Sequence, residues 1–162
     1  MLKLTVVEFF FRLIPEAFLF IFAGYAFSKT KVNLKRYLLS GAVLSIIGYL
    51  VRMLPINFGI HSVLILVACI VLLVTINKIP MMKAVSASLI IMIVGFAAEA
   101  LNGIFIQNVL GKDMELIFQD PSQKVLYGLP SLGLMGLIIA IVYIIHYKRD
   151  KLTDVLNRED IK

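Results

Sequence analysis

The chain has 162 residues, of which 60% are hydrophobic and only 16% are charged. Because soluble domains usually have roughly 45–50% apolar and about 25% charged residues, this composition excludes an ordinary soluble domain. The formal net charge of +6 is not a nucleic-acid signature, because the basic residues gather in short segments between apolar runs. We therefore expect no nucleic-acid partner.

Apolar runs of about twenty residues recur along the chain, which is typical of a polytopic membrane protein in a lipid bilayer. The runs are continuous rather than alternating, so they predict helices, which satisfy their own backbone groups in lipid. The sequence thus predicts an all-α bundle in one transmembrane domain, 1–147, followed by a basic, amphipathic tail, 148–162. The five predicted spans are about 4–28, 37–54, 58–77, 82–110 and 125–147.

The basic residues also predict the orientation of the spans. Segments 28–36, 78–83 and 148–162 together hold eleven of the sixteen basic residues. By the positive-inside rule these segments are cytoplasmic, so the N-terminus lies outside and the C-terminus inside. We expect a multi-pass protein of the plasma membrane, in a bacterium.

The first span carries three charged residues, Glu8, Arg12 and Glu16, at successive i,i+4 positions. On a regular helix these side chains share one face. A charge at membrane depth costs on the order of 2.5–3.5 kcal/mol by insertion scales, so this face should meet protein or water. Pro15 lies within the same segment and predicts a kink.

Other polar residues of the spans also lie in their predicted outer halves. Glu99 lies four residues from both Gly95 and Gly103, a spacing that lets helices approach closely, so we expect its carboxylate to point into the bundle. The sequence predicts an outward-facing polar core in which two arginines oppose Glu16 and Glu99. Its proposed members are Glu8, Arg12, Glu16, Arg52, His61, Glu99 and Asn102.

Three interpretations of this polar core are open. It can be a purely structural network, a ligand pocket open to the outside, or part of a proton or ion path. We expect no enzyme, no cofactor and no metal site, because the chain contains none of the common catalytic or metal-binding motifs. Small residues on the second span, Gly41, Ser45 and Gly48, and on the fourth span, Gly95 and Gly103, predict faces for homo- or hetero-oligomer contacts.

Two stretches, LVRMLPINFGIH and KIPMMKAVSASLIIMIVGFAAEALN, carry a family resemblance. With the order of spans and the basic inner loops, the chain resembles the membrane sensor region of AgrC-like, GHKL-type peptide-sensing histidine kinases of Gram-positive bacteria. The resemblance implies a two-component signalling role, in which an outward-facing bundle binds a signal and passes a helix movement to the cytoplasm. The chain departs from that family after the last span, where no kinase domain follows. We expect a sensor fragment or a protein that works through a partner.

These observations favour a non-catalytic sensory or regulatory module that binds a peptide or small molecule, or a partner's helices, through its polar core. One alternative is a small substrate-binding subunit of a membrane transporter. Another is a structural subunit of a membrane complex.

Overall fold

The computed structural model describes residues 8–54, 58–109 and 121–148. Its five helices confirm the predicted all-helical fold; they are α1 (Phe9–Ser28), α2 (Leu34–Met53), α3 (Phe58–Thr75), α4 (Met81–Asn108) and α5 (Pro121–Lys148). All except α3 contain a stretch long and apolar enough to cross a membrane, which is the mark of a multi-pass membrane protein. The predicted tail after Lys148 lies outside the described residues.

Consecutive helices run in opposite directions. The phenol of Tyr25 at the C-terminal end of α1 donates a hydrogen bond to Asn77 Oδ1, just after α3, at 2.6 Å. His146, in the last turn of α5, contacts the carbonyl of Ala26 at 3.0 Å. The C-terminal ends of α1, α3 and α5 therefore meet at one end of the bundle, together with the N-terminal ends of α2 and α4. We call this the basic end, and the opposite one the ion-pair end.

This arrangement also places α3 across the whole bundle. The helix has 18 residues, which corresponds to about 27 Å of axis. It follows α2 after a short connection at the ion-pair end and finishes beside Asn77 at the basic end. The helix is slightly shorter than a typical hydrocarbon core of about 30 Å, yet it runs from one end of the bundle to the other.

The first helix is the centre of the bundle. It packs against all four other helices, whereas α2 and α5 do not contact each other in the described part of the chain. On one side Ile21 packs with Leu44 and Leu73, and on the other Ala23 packs with Ile91, in two clusters of buried residues. The first helix thus serves as the hub on which the other four helices assemble.

Pro15 changes the helix in a way that the sequence did not predict. A π-helical turn, Phe9–Leu13, precedes it, and the Ile14 N–H donates to the Phe9 carbonyl. Because proline has no N–H and its ring crowds the carbonyl four residues earlier, a wider turn accommodates it without ending the helix. The predicted kink position is therefore a π-turn, and it contains Arg12.

The small-residue face of α2 is occupied within the chain. A Cβ atom added to Gly41 would lie 2.6 Å from the ring of Phe18, and one added to Gly48 would lie 3.2 Å from Leu13. Ser45, between them, is buried and donates to the Gly41 carbonyl at 2.8 Å. These residues let α1 approach α2, so the prediction that this face is available to another chain is wrong.

Candidate functional site

The first ion pair at the ion-pair end joins α1 to α4. Arg12 Nη2 lies 3.1 Å from Glu99 Oε1. The arginine side chain is 20% exposed, but the glutamate side chain is 53% exposed. The carboxylate therefore neutralises the arginine from the bundle surface, where molecules outside the bundle can reach it.

The second ion pair joins α1 to α2. Arg52 Nη2 donates to Glu16 Oε2 at 2.8 Å, and both side chains are 24% exposed. This distance is short for a charge-assisted hydrogen bond. Because Arg52 is in the last turn of α2, its charge also interacts favourably with the negative end of the helix dipole.

Two further contacts at the ion-pair end involve the N-terminal part of α5. The Asn102 side-chain amide donates to the Tyr127 carbonyl at 2.6 Å. A Cβ atom on Gly128 would lie 3.2 Å from Arg12 Nη1, so the guanidinium packs directly against the α5 backbone. Arg12 thus touches α4 through its ion pair and α5 through the glycine.

The remaining members of the predicted core also lie at this end. Glu8 immediately precedes the π-turn and is buried, with 6% exposure. His61 is in the first turn of α3 and is partly buried. The structure thus places all seven predicted residues near one end of the bundle, and five of them, Arg12, Glu16, Arg52, Glu99 and Asn102, make contacts between helices.

Two details of the predicted core differ in the structure. Arg12 and Glu16, predicted to share one face of the first helix, interact with different neighbours, because Arg12 pairs with α4 and Glu16 pairs with α2. Glu99 does not point into the bundle but lies at its surface, with its carboxylate turned toward Arg12. The position of Glu99 depends on the rotation of α4 about its axis, which the residue spacing within a single helix does not determine.

A second polar cluster, at the basic end, was missed by the sequence reasoning. Asn77 Oδ1 accepts hydrogen bonds from Tyr25 at 2.6 Å and from Ser40 at 3.3 Å. Its amide donates to the Leu72 carbonyl at 3.1 Å, and all three polar side chains are at most 1% exposed. The sequence signal for this cluster was Asn77, a polar residue beside a turn, but it is not ionisable and so was not among the predicted site residues. This cluster ties together α1, α2 and the segment after α3.

An apolar layer separates the two polar ends. Ile21, Leu44, Ile91 and Ile139 are each at most 1% exposed and lie between the two ends. Within the described residues, no three His, Cys, Asp or Glu side chains are grouped so that they could hold a metal ion. The charged side chains of the described residues therefore lie toward the two ends of the bundle.

Comparisons with known proteins add no relative. No family model, no curated protein and no solved structure matches this chain. The resemblance to AgrC-like sensor regions consequently stays a prediction from the order of spans and the basic loops.

Proposed function

We propose that the chain is a non-catalytic sensory or regulatory module of the membrane, and that its ion-pair end receives a signal or partner from outside the cell. The observation that carries the proposal is the geometry of Arg12. This residue pairs with a half-exposed carboxylate on α4 while its guanidinium packs on the backbone of α5. A ligand that competes for Glu99 would therefore change a contact shared by α1, α4 and α5.

The fifth helix is the route by which such a change would leave the site. Pro130 lies inside α5 and leaves the carbonyl of Leu126 without its usual helical donor. One residue later in the chain, the Tyr127 carbonyl accepts the Asn102 amide. Proline positions are where helices bend most readily. The outer segment of α5 is thus held by side chains of the site, and its last turn contacts α1 through His146.

The orientation in this proposal follows from the charges. The basic end faces the cytoplasm by the positive-inside rule, so the ion-pair end faces outward. The signal would enter at Glu99 and reach the cytoplasmic side through α5 and the segment after Lys148. A cytoplasmic partner would receive it there.

The test compares gene expression in native cells that lack the chain with cells that carry it or a variant. The genes whose transcripts respond to the deletion define the output. Glu99→Gln keeps the shape of the side chain and removes its charge, and we expect loss of the output. Because the Glu99 carboxylate is half-exposed, the variant should lose no more than about 1 kcal/mol of unfolding free energy.

Ser86→Ala is the matched control, because Ser86 is an exposed polar residue of α4 at the other end and donates only to its own helix. It should leave the output unchanged. A second arm exchanges the charges of one pair, as Glu16→Arg with Arg52→Glu. If that exchange and Glu99→Gln both retain the full output, the ion pairs are structural and the proposal fails.

The transporter alternative has less support from the geometry. The buried layer around Ile21 and Leu44 contains no charged side chain among the described residues, and its polar groups, such as Ser45 and Ser88, are hydrogen-bonded within the bundle. A substrate-binding subunit would therefore require helices to separate through this layer. Measuring solute uptake in the same cells distinguishes the two functions, because a transport subunit predicts uptake that depends on Glu99.

A further inference from the structure

Among the described residues, the basic end of the bundle has basic side chains but no carboxylates. Within residues 8–54, 58–109 and 121–148, every carboxylate lies at the ion-pair end, as Glu8, Glu16 or Glu99. Seven basic residues are at the basic end: Lys29, Lys31, Lys35, Arg36, Lys78, Lys83 and Lys148. The segment 149–162 carries four basic and four acidic residues, so it adds no net charge to offset them.

Helix electrostatics do not account for this arrangement. Lys35 and Arg36 lie in the first turn of α2 and Lys83 lies in the first turn of α4, and neither turn contains an acidic residue. The N-terminal end of a helix is its positive end, so cations are unfavourable there and anions are favourable. No carboxylate of the described residues lies at this end, so an anion from outside the described structure would stabilise these three cations.

The surroundings of these cations show what kind of anion fits. Large apolar side chains next to them in the same two turns are exposed, at 50–81% of their surface: Leu34, Leu38, Met81 and Met82. A soluble anion or a nucleic acid would leave these side chains in water. A lipid instead covers them with its acyl chains and brings a phosphate to the height of the cations.

We propose that the basic end selectively binds anionic phospholipids. The phosphates of their headgroups contact Lys35, Arg36 and Lys83, and their acyl chains cover the exposed leucines and methionines at the starts of α2 and α4. The Asn77 hydrogen bonds to Tyr25 and Ser40 hold the N-terminal part of α2 beside α1 and the segment after α3. This site is independent of the proposed signalling function, because it uses no residue of the ion-pair end.

The experiment uses the purified full chain in nanodiscs of phosphatidylcholine containing a tenth of phosphatidylglycerol. Native mass spectrometry measures the ratio of the two lipids that remain bound. The test variant carries three substitutions together, Lys35→Gln, Arg36→Gln and Lys83→Gln. The control variant carries Lys112→Gln and Lys124→Gln, which removes two basic residues that the sequence predicts on the opposite side of the membrane. Nanodiscs expose both leaflets, so a change of insertion topology does not affect the measurement.

We expect the native chain to retain phosphatidylglycerol preferentially and the control variant to do the same. Each neutralised residue should lower the preference about fivefold at low ionic strength. Raising the salt from 50 to 500 mM should weaken the preference of the native chain and leave that of the test variant unchanged.

Equal preference in the test and native chains would overturn the proposal. So would displacement of the lipid by inorganic phosphate or a DNA duplex at millimolar concentration, because the site would then recognise any anion. Thermal unfolding in pure phosphatidylcholine shows whether the test variant folds. If it does not, Lys83→Gln alone must show the fivefold loss, and Lys83→Arg must keep the preference of the native chain.

Discussion

The hydrogen bond between Tyr25 and Asn77 should contribute measurably to the stability of the bundle. Tyr25→Phe removes only the hydroxyl, whose oxygen lies 2.6 Å from Asn77 Oδ1 where both side chains are 1% exposed. A typical hydrogen bond contributes about 0.5–1.5 kcal/mol, and a buried group left without a partner costs about 1–3 kcal/mol. Because Asn77 Oδ1 keeps a longer bond from Ser40, at 3.3 Å, we expect a loss of about 1–2 kcal/mol.

The measurement is reversible unfolding in mixed micelles, with increasing amounts of sodium dodecyl sulfate and helix content as the signal. Tyr143→Phe is the matched control, since Tyr143 contributes a ring contact with Phe22 and its hydroxyl has no hydrogen-bond partner in the described residues. The control should change the unfolding free energy by less than about 0.5 kcal/mol. Equal effects of the two substitutions would refute the reasoning, because the buried bond would then contribute nothing.

Three further substitutions test other contacts by the same unfolding measurement. Gly41→Ala should destabilise the bundle by about 1–3 kcal/mol, because its methyl group meets a ring of α1 at 2.6 Å; Gly59→Ala, with open space around it, should not destabilise it. Lys29→Gly should stabilise the fold by about 1 kcal/mol, because Lys29 has φ 57°, whereas Lys35→Gly, inside α2, should destabilise it. Asn102→Ala should cost about 1 kcal/mol and increase hydrogen exchange at the start of α5, and an unchanged exchange rate would show that this contact does not hold the helix.

Several parts of the ion-pair end could be predicted from the residues alone. Charged side chains are too costly in lipid to be left without polar surroundings, so Arg12, Arg52 and Glu16 had to meet partners or water. The pairing of two arginines with two glutamates followed from their similar depth. The exposure of Glu99 did not follow, because it depends on how far α4 is rotated about its axis.

The cluster around Asn77 shows a different limit. Its polar atoms come from α1, α2 and the turn after α3, and none of them is ionisable at neutral pH. In sequence each is an ordinary residue near a helix end. Their burial becomes visible only when three segments are placed beside each other, because hydrogen-bond partners distant in sequence leave no local pattern.

The sequence by itself determined that this chain forms apolar helices and that its charges separate to the two ends. Hydropathy and charge are properties of consecutive residues, and lipid leaves the backbone no alternative to a helix in such segments. Only the tertiary structure decided which helix is central, which arginine meets which glutamate and how α2 uses its small residues. Those outcomes depend on the rotation and height of each helix relative to its neighbours, and packing of side chains from different segments decides both.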